Sequence, residues 1–542
     1  MSNSIREVLV SHGLHGYNPA RHKDEVGFQP YRERLYGNIN ADLIQDPFNG
    51  NTQDWTQAIA RESYLACAEA KVFARATFNF SPQILEYLYK RERETHDLIV
   101  DSDRISKMNF GGHGSAIMQG LYYHLISPFE SEQVKDTMIH WSKVAFEEHF
   151  GRKPEGAWLP EAAVDHITLE ILAKNGIKFT ILAPWQASGI CKIGTKNWEE
   201  VGTSIDPSRP YTYKLTDGRS ISIFFFDDHL GEKIAHNKEG IYSSPYTLHE
   251  HIKSTREEGL TLTYNDMETL GHHHKNGTVS TFSEALLGLY EGKPKRGDTI
   301  YRLTNPAQFL ANHKPEYEVE IIPYTSWSCK EKGKHHFLSR WGDDRLGDKQ
   351  KKDECHCGDV ISSDWRAALR KAHEFLNREI EKIYFKESGP QYFTDPKETL
   401  KDYIYVVLEK ENIHEFLKRH FKPDVSPREF EKAYYLLEAM RFSMIANTSC
   451  GWFHNGIKRI EPVINMVSVH SALKALVHAV DDRRAFKIIQ GYLNLMEKVP
   501  TSAPEYNGRK AFEAAVRAND EEYQGMKEYQ DVAEHPTMVT IP

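Results

Sequence analysis

Short apolar runs alternate with helix-like stretches over the first 270 of the 542 residues. This alternation is typical of a parallel sheet whose strands are joined by crossover helices. The pattern predicts an α/β fold, with a seven-stranded (β/α) barrel and its insertions over residues 1–320. The seven predicted strands are Val8–His12, Ala76–Phe80, Ile105–Phe110, Gly156–Leu159, Phe179–Ala183, Ile221–Phe226 and Leu260–Tyr264.

Local signals define two of the connections between strands. Asp165 can cap a helix that continues through Lys174 and stops at Gly176. Asp217-Gly218 lies between two alternating segments, 211–215 and 220–224, which predicts a β-hairpin with a primed turn. The sixth strand should therefore have an antiparallel neighbour.

After about residue 365 the chain shows helical periodicity without strand-like runs. Ser426 and Glu429 form a capping-box pattern, with proline at the first helical position. We therefore expect an α-helical C-terminal domain over residues 321–542, with a loop at 384–397. The predicted helical segments are Trp365–Tyr384, Leu400–His414 and Glu429–Ile445.

Composition narrows the possible partners. The chain is 40% hydrophobic and 27% charged, as in ordinary globular proteins, and its net charge is −9. A nucleic-acid binder would usually have a basic surplus, so neutral or polar substrates fit better. The start has no signal-peptide-like run and no later stretch has the length and apolarity of a membrane span, so we expect a cytoplasmic protein without a membrane partner.

The six cysteines are few and scattered, which favours free thiols in a reducing compartment. Cys355 and Cys357 flank a histidine, and Cys329 lies upstream, so a structural zinc site is conceivable. Zinc ribbons usually have two C-x₂-C pairs, whereas this chain has one irregular pair. The spacing thus favours free thiols over a metal site.

Polar, titratable and aromatic residues follow nearly every predicted strand. The carboxyl ends of barrel strands form the active-site face, so we expect these side chains to meet there. Turn-forming preference accounts for Asn79 and Asp227 but not for repeated His and Glu beside Trp. The residues concerned are His12, His15, Asn79, Ser81, His113, Glu161, Pro184, Trp185, Asp227, Asp228, Asp266 and Glu268.

Two of these strand ends carry the clearest candidate chemistry. In Gly156-Ala-Trp-Leu-Pro-Glu161 a carboxylate follows an aromatic on a rigid turn, which suits a sugar-binding site. The segment from Asp266 to His274 supplies two acids and three consecutive histidines. Spacing alone leaves two interpretations open here, a two-carboxylate hydrolase and a metal site.

The same segments resemble motifs of glycoside hydrolase family 57. Trp158-Leu-Pro-Glu161 resembles the family's nucleophile motif, and the segment 266–273 resembles its D-x-E-x-x-G-H-W motif, whose aspartate is the acid/base. Residues 15–19 and 112–128 are similar to the family's first and second regions. Five segments resemble motifs of one branch of the family, whose added helical domain has no established function. These segments are Gly156–Asp165, Ile177–Pro184, Gly271–His274, Thr325–Cys329 and Thr448–Phe453. The resemblance covers about residues 8–490.

The resemblance implies a retaining enzyme acting on α-glucan-type oligo- or polysaccharides. It implies that Glu161 is the nucleophile and Asp266 the acid/base, about 5–5.5 Å apart, with no cofactor and no catalytic metal. The chain departs from the family pattern at His273, where Trp is usual, and at Asn18, where Gln is usual, which puts substrate choice in question. The substrate-binding residues implied are His15, His113, His124, Trp158, Trp185, Asp228, Glu268, His272 and His273.

Other functions compete with hydrolysis. A 4-α-glucanotransferase or branching enzyme would use the same two carboxylates, with a sugar rather than water as acceptor. A metal-dependent deacetylase would need an Asp-Asp pair and an H-x₃-H set, which do not occur in the right order. A non-catalytic glycan-binding protein would not require both Glu161 and Asp266.

For some residues, the sequence does not decide between a role in the site and a role in the structure of the fold. Asp227 and Asp228 are either sugar ligands or loop caps, and His124 is either functional or a core histidine. Trp327 and Trp452 are assigned to packing at the domain interface. Thr448–Phe453 is the candidate contact by which the helical domain shapes the cleft, the alternative being that it is internal core of that domain.

Overall fold

A computed structural model describes residues 6–16, 43–49, 54–120, 130–201, 205–328, 338–342, 364–453, 456–501 and 506–520. The described residues fall into two compact units. The first comprises those of 1–20 and 55–335, and the second those of 21–54 and 336–542. The domain boundary at residue 320 stays a prediction.

The first unit contains the strands and ten helices of the described chain. Its strands are β1 Arg6–Gly16, β2 Thr77–Phe80, β3 Met118–Gln119, β4 Gly156–Trp158, β5 Phe179–Leu182, β6 Ala187–Lys192, β7 Trp198–Glu200, β8 Tyr211–Lys214, β9 Ser220–Phe225, β10 Gly259–Asp266, β11 Lys295–Arg296, β12 Thr299–Leu303 and β13 Tyr317–Ile321. Its helices are α1 Trp55–Ile59, α2 Ala66–Glu69, α3 Pro82–Arg91, α4 Arg93–Asn109, α5 Glu132–Phe150, α6 His166–Lys174, α7 Asp228–Ala235, α8 Pro245–Lys253, α9 Thr278–Tyr290 and α10 Pro306–Asn312. A π-helical turn, Ala60–Leu65, joins α1 to α2.

Seven parallel strands follow one another in the order expected of a barrel. β10, β1 and β2 are hydrogen-bonded neighbours, and β3, β4, β5 and β9 form a second run. A parallel bridge between Phe78 and Ala116 links β2 to the segment before β3. The backbone N–H of Asp227 donates to the Leu262 carbonyl at 2.6 Å, which links the end of β9 to β10. The α/β fold predicted from the apolar runs is confirmed.

Local sequence signals explain several elements. The Asp165 carboxylate accepts from the Thr168 N–H at 2.7 Å and caps α6, as predicted. β8 and β9 form the predicted antiparallel hairpin. The Gly218 N–H donates to the Leu215 carbonyl at 3.1 Å, so Thr216 and Asp217 are the central residues of the turn. Neither of them has a positive φ, so the turn is not of the predicted primed type.

One predicted strand is wrong. Residues 105–109 belong to the last turns of α4, where the buried Ser106 and the half-buried Ile105 lie on the inner face of an amphipathic helix. The third strand of the barrel is instead β3, only two residues long and paired with β4. His113 therefore precedes the third strand and does not follow it.

The second unit is helical over its described residues. Its helices are α11 Asp364–Lys382, α12 Gly389–Tyr392, α13 Pro396–Val407, α14 Ile413–His420, α15 Pro427–Ile445, α16 Cys450–Phe453, α17 Ile460–Ala479, α18 Asp482–Met496 and α19 Gly508–Asn519. The predicted capping box at Ser426 and Glu429 is present. The segment predicted as a loop holds α12 and the start of α13, and the helix predicted over 400–414 is interrupted between α13 and α14.

The core of the second unit contains α17 and Trp452. In the described chain, α17 alone is long and apolar enough to cross a membrane by length and composition, so the prediction that no stretch reaches that length and apolarity is wrong. Inside the protein, 78% of its apolar window is buried. Trp452 is fully buried, with the Arg370 guanidinium 3.8 Å from its ring centroid and His373 at 5.3 Å. The Arg366 Nε donates to the Trp452 carbonyl at 2.8 Å. These contacts support the alternative in which Trp452 is internal core.

Candidate active site

Glu161 follows β4 on a strained turn. Its φ is 61°, and Ala162 has φ 49°, a left-handed conformation that is uncommon for residues with a side chain. The carboxyl is buried, and its Oε2 accepts a hydrogen bond from the Trp327 indole N–H at 2.7 Å. The Trp327 backbone N–H also donates to the Glu161 carbonyl at 3.1 Å. The fold thus holds Glu161 through both its backbone and its side chain.

The segment around Trp327 is itself fixed to the Glu161 turn by Gln186. The Gln186 amide donates to the Ala162 carbonyl at 2.8 Å and to the Thr325 carbonyl at 3.1 Å. The Trp185 indole N–H donates to the Ser326 carbonyl at 3.2 Å, and Trp185 is only 5% exposed. Trp185 therefore supports this segment, and its predicted service as a sugar-stacking face stays a prediction.

Two stacked aromatic rings join the ends of β4 and β10. Trp158 and Tyr264 lie 4.2 Å apart between ring centroids, with an interplanar angle of 5°. A side-chain carbon at Gly13 in β1 would overlap the Tyr264 ring, so glycine is required for the ring to lie flat on that strand. Trp158 lies three residues before Glu161, and Tyr264 lies two residues before Asp266. The stack therefore joins the two strand ends that carry the candidate catalytic carboxyls.

A buried hydrogen-bond network lies beside the stacked rings. The Asn79 side-chain amide donates to His15 Nδ1 at 2.9 Å and also to the Gln119 Oε1, while the Tyr264 hydroxyl donates to Asn79 Oδ1. Burial lowers the pKa of His15 to about 3, although hydrogen bonds to Asn79 and Gln119 oppose the shift. His15 is therefore neutral, and its proton resides on Nε2 because Nδ1 accepts.

Asn79 and Gln119 are site residues that sequence reasoning missed. Asn79 was attributed to turn preference, but it is 1% exposed and connects three strands. Gln119 ends a strand of two residues that leaves no periodic signal. A polar residue within the otherwise apolar run of β2 is the signal that marks Asn79.

Asp266 ends β10, and His15 is its partner in the β1 register. Its side chain opens on solvent, but protein atoms crowd around it, and this desolvation raises the pKa of the Asp266 carboxyl to about 6. Such a carboxyl can donate a proton near neutral pH. Asp266 therefore has the property required of a general acid.

Glu268 lies two residues further on and is 4% exposed. Its Oε1 accepts a hydrogen bond from the Tyr64 hydroxyl. Burial, followed by the nearby Asp266 charge, raises the pKa of Glu268 well above its ordinary value, and the Tyr64 bond opposes the shift. Burial and the Asp266 charge thus favour the protonated form of Glu268.

The three consecutive histidines have different surroundings. His272 Nδ1 lies 2.7 Å from Glu62 Oε2, and His274 Nε2 lies 2.9 Å from the Ala235 carbonyl. His273 is exposed as a whole residue, but its ring is partly desolvated. This desolvation, together with the two neighbouring histidines, lowers the pKa of His273. In the described ranges no group of three or more His, Cys, Asp or Glu side chains is arranged to hold a metal ion.

His113 is not at the carboxyl face, so its predicted placement is wrong. Its Nδ1 lies 3.0 Å from Glu155, the residue before β4, and Lys178, just before β5, contacts the same carboxylate at 2.8 Å. These contacts are at the amino ends of the strands. The misplaced third strand is the cause, because His113 precedes β3.

The remaining predicted residues are placed as follows. Asp227 accepts from the Leu230 N–H at 3.0 Å and caps α7, and it also binds Arg256 at 2.6 Å. Asp228 is the half-buried first residue of α7, and its predicted sugar contact is untested. Positions outside the described residues are Asn18, His124, Cys329, Cys355 and Cys357, so the predictions made for them stay predictions.

Comparisons with known proteins agree with this geometry. A pair of carboxyl groups at strand ends beside stacked aromatic rings is the arrangement expected of a carbohydrate-active enzyme. The family model described as "Glycosyl hydrolase family 57" matches residues 7–322, and the chain belongs to that family. The model described as "Domain of unknown function (DUF3536)" matches residues 362–535.

One solved structure shows that the fold is shared. A novel exo-type maltose-forming amylase from Pyrococcus sp. ST04 has a TM-score of 0.68 at 16% identity, covering 97% of this chain and 94% of that one. A family 57 branching enzyme from Thermococcus kodakaraensis has a TM-score of 0.48 at 13% identity, covering 94% of each chain. Among curated protein sequences, none matches the chain.

Proposed function

We propose that this protein is a retaining enzyme that cleaves α-glucan chains through a glycosyl-enzyme intermediate. One observation carries the proposal. Glu161 follows β4 and Asp266 ends β10, and the Trp158 and Tyr264 side chains of these two strands stack on each other. The two carboxyls have different environments. One carboxyl is buried beside an indole N–H, and the other has a raised pKa. Two carboxyls with separate roles are what a retaining mechanism needs.

The two residues divide the chemistry. Glu161 attacks the anomeric carbon, and the Trp327 N–H on Oε2 orients the attacking carboxylate. Asp266, protonated below a pH of about 6, donates its proton to the leaving glycosidic oxygen. The resulting Asp266 carboxylate then takes a proton from water or from an acceptor sugar, which releases Glu161.

Buried donors near the two carboxyls suit sugar hydroxyls. The Trp158 Nε1 and the Gln119 Nε2 are buried and have no acceptor among the described residues. Polar groups fixed in an otherwise aromatic site provide orientation and specificity. The α-glucan assignment draws on family membership and on the amylase that shares the fold.

The proposal is tested by incubating the protein with linear and branched α-glucans and measuring reducing ends and product chain lengths. Hydrolysis creates new reducing ends, whereas transfer changes chain lengths without creating them. Glu161→Gln is the control for contaminating activity. A folded protein that changes neither quantity on any α-glucan contradicts the proposal.

The pH dependence of the reaction follows from Asp266. We expect kcat/KM to fall tenfold per pH unit as the pH rises beyond about 6, because the proton donor is then lost. A pH series with a linear α-glucan, followed by reducing-end release, measures this decrease. With a substrate whose leaving group needs no protonation, the rate of the first step should not fall as the pH rises above about 6. An unchanged kcat/KM up to pH 8 with an ordinary glucan would show that Asp266 is not the acid.

Trp327→Phe tests the hydrogen bond to Glu161. The change keeps an aromatic ring but removes the N–H that is 2.7 Å from Oε2, so we expect kcat/KM to fall about 10- to 100-fold from a misoriented nucleophile. Circular dichroism should be unchanged. Trp198→Phe, at a residue 45% exposed on β7, is the matched control and should retain full activity. Equal activity of both variants would contradict an orienting role for Trp327.

A further inference from the structure

The π-helical turn Ala60–Leu65 packs against the loop that follows β10. Ser63 Oγ donates to the Met267 carbonyl at 3.0 Å, and the Tyr64 hydroxyl donates to Glu268 Oε1. Glu62 Oε2 lies 2.7 Å from His272 Nδ1. Three consecutive residues of the turn thus bind three positions of one loop. π-Helical turns are rare and are frequently found at functional sites.

The backbones of the two segments also approach closely. A side-chain carbon at Gly271 would overlap the Glu62 carbonyl oxygen, and Gly271 has a φ of 85°. Glycine is therefore required twice at this position, for space and for conformation. This accounts for the glycine in the Gly-His-His-His segment. The loop that begins with Asp266 is consequently held against the turn along its length.

We propose that the turn Ala60–Leu65 positions the acid/base loop, with Tyr64 as a positioning residue that acts through Glu268. This inference rests on the proposed function, in which Asp266 is the acid/base. Tyr64 is fully buried and touches neither Glu161 nor Asp266 through its hydroxyl hydrogen bond. The hydrogen bond that its hydroxyl donates to Oε1 fixes the rotamer of the Glu268 carboxyl.

The test is a set of variants that removes the donor and the acceptor separately and together. Tyr64→Phe removes the hydroxyl while keeping the ring. Glu268→Ala removes the carboxyl, and Glu268→Gln keeps an oxygen that can accept from Tyr64. Tyr211→Phe is the matched control, because the Tyr211 hydroxyl is also buried and donates to a carbonyl, that of Asp206 at 2.8 Å, outside this loop.

The expected result is a tenfold or greater fall in kcat for Tyr64→Phe, with KM within twofold, while Tyr211→Phe keeps wild-type kcat. In the Glu268→Ala background, Tyr64→Phe should cause no further fall in kcat. In the Glu268→Gln background, Tyr64→Phe should still lower kcat. An equal loss in all three backgrounds, or a kcat unchanged by Tyr64→Phe, overturns the proposal, since a framework role would act independently of Glu268.

Thermal unfolding provides a readout that does not depend on turnover. Tyr64→Phe should lower the unfolding midpoint by about 2–4 °C alone and by less in the Glu268→Ala background. If the decreases in midpoint caused by the two substitutions simply added, the coupling of Tyr64 to Glu268 would be overturned. Wild-type protein inactive on every glucan would contradict the proposed function, while the midpoints would still decide whether Tyr64 acts on Glu268.

Discussion

Glu161→Gln is expected to lower kcat/KM on α-glucans by about 10⁴-fold or more, because an amide cannot form the glycosyl-enzyme. Glutamine has nearly the same shape, and its amide oxygen can still accept from the Trp327 indole N–H. The fold should therefore be unchanged. The measurement is reducing-end release together with circular dichroism on the same sample.

Glu155→Gln is the control for a carboxylate lost from the same strand region. Glu155 lies at the opposite end of β4, where it binds His113 and Lys178. We expect this variant to keep activity within a few-fold. If Glu161→Gln were no more impaired than Glu155→Gln, Glu161 would not be the nucleophile.

Lys135→Met is expected to destabilise the first unit by about 3–5 kcal/mol, because it leaves a buried carboxylate without its cation. Lys135 and Asp165 form an ion pair in which each side chain is 3% exposed. Asp165 also caps α6. Urea unfolding followed by tryptophan fluorescence measures the loss. Lys178→Met removes a lysine that is 61% exposed from its pair with Glu155, and it should cost at most about 1 kcal/mol.

The same pair makes stability depend on pH. Burial opposes ionisation of Asp165, but the charge and hydrogen bond of Lys135 outweigh it, so the pKa of Asp165 lies below its ordinary 3.8. The stabilisation is then present above a pH of about 4 and is lost as the pH falls through the lowered value. A Lys135→Met protein with wild-type urea midpoints at pH 7 would contradict the buried-pair argument.

Six of the seven barrel strands could be predicted, because each is a run of apolar residues long enough to stand out. The third could not. Met118–Gln119 is too short to show a period. Residues 105–110 have the apolar content of a strand, but 105–109 form the last turns of α4. That single misassignment moved His113 to the wrong face of the sheet.

The candidate site was predictable where its residues lie within a few positions of a strand end. Glu161 lies three residues after the end of β4, and Asp266 is the last residue of β10. Trp327 lies 166 positions from Glu161 in the chain, and Tyr64 lies 204 positions from Glu268. Contacts over such separations are created by the fold, and no local pattern marks them. Trp327 was assigned to packing, although its N–H binds Glu161.

The left-handed backbone at Glu161 has a consequence for enzyme engineering. A retaining enzyme without its nucleophile can join sugars supplied as fluorides of inverted anomeric configuration, since the remaining acid/base activates the acceptor. Such a synthase is usually made by substitution with alanine, serine or glycine. At φ 61° a residue with a side chain costs about 1–3 kcal/mol that glycine does not. Glu161→Gly should consequently be the most stable synthase of the three, with the widest space for an incoming fluoride.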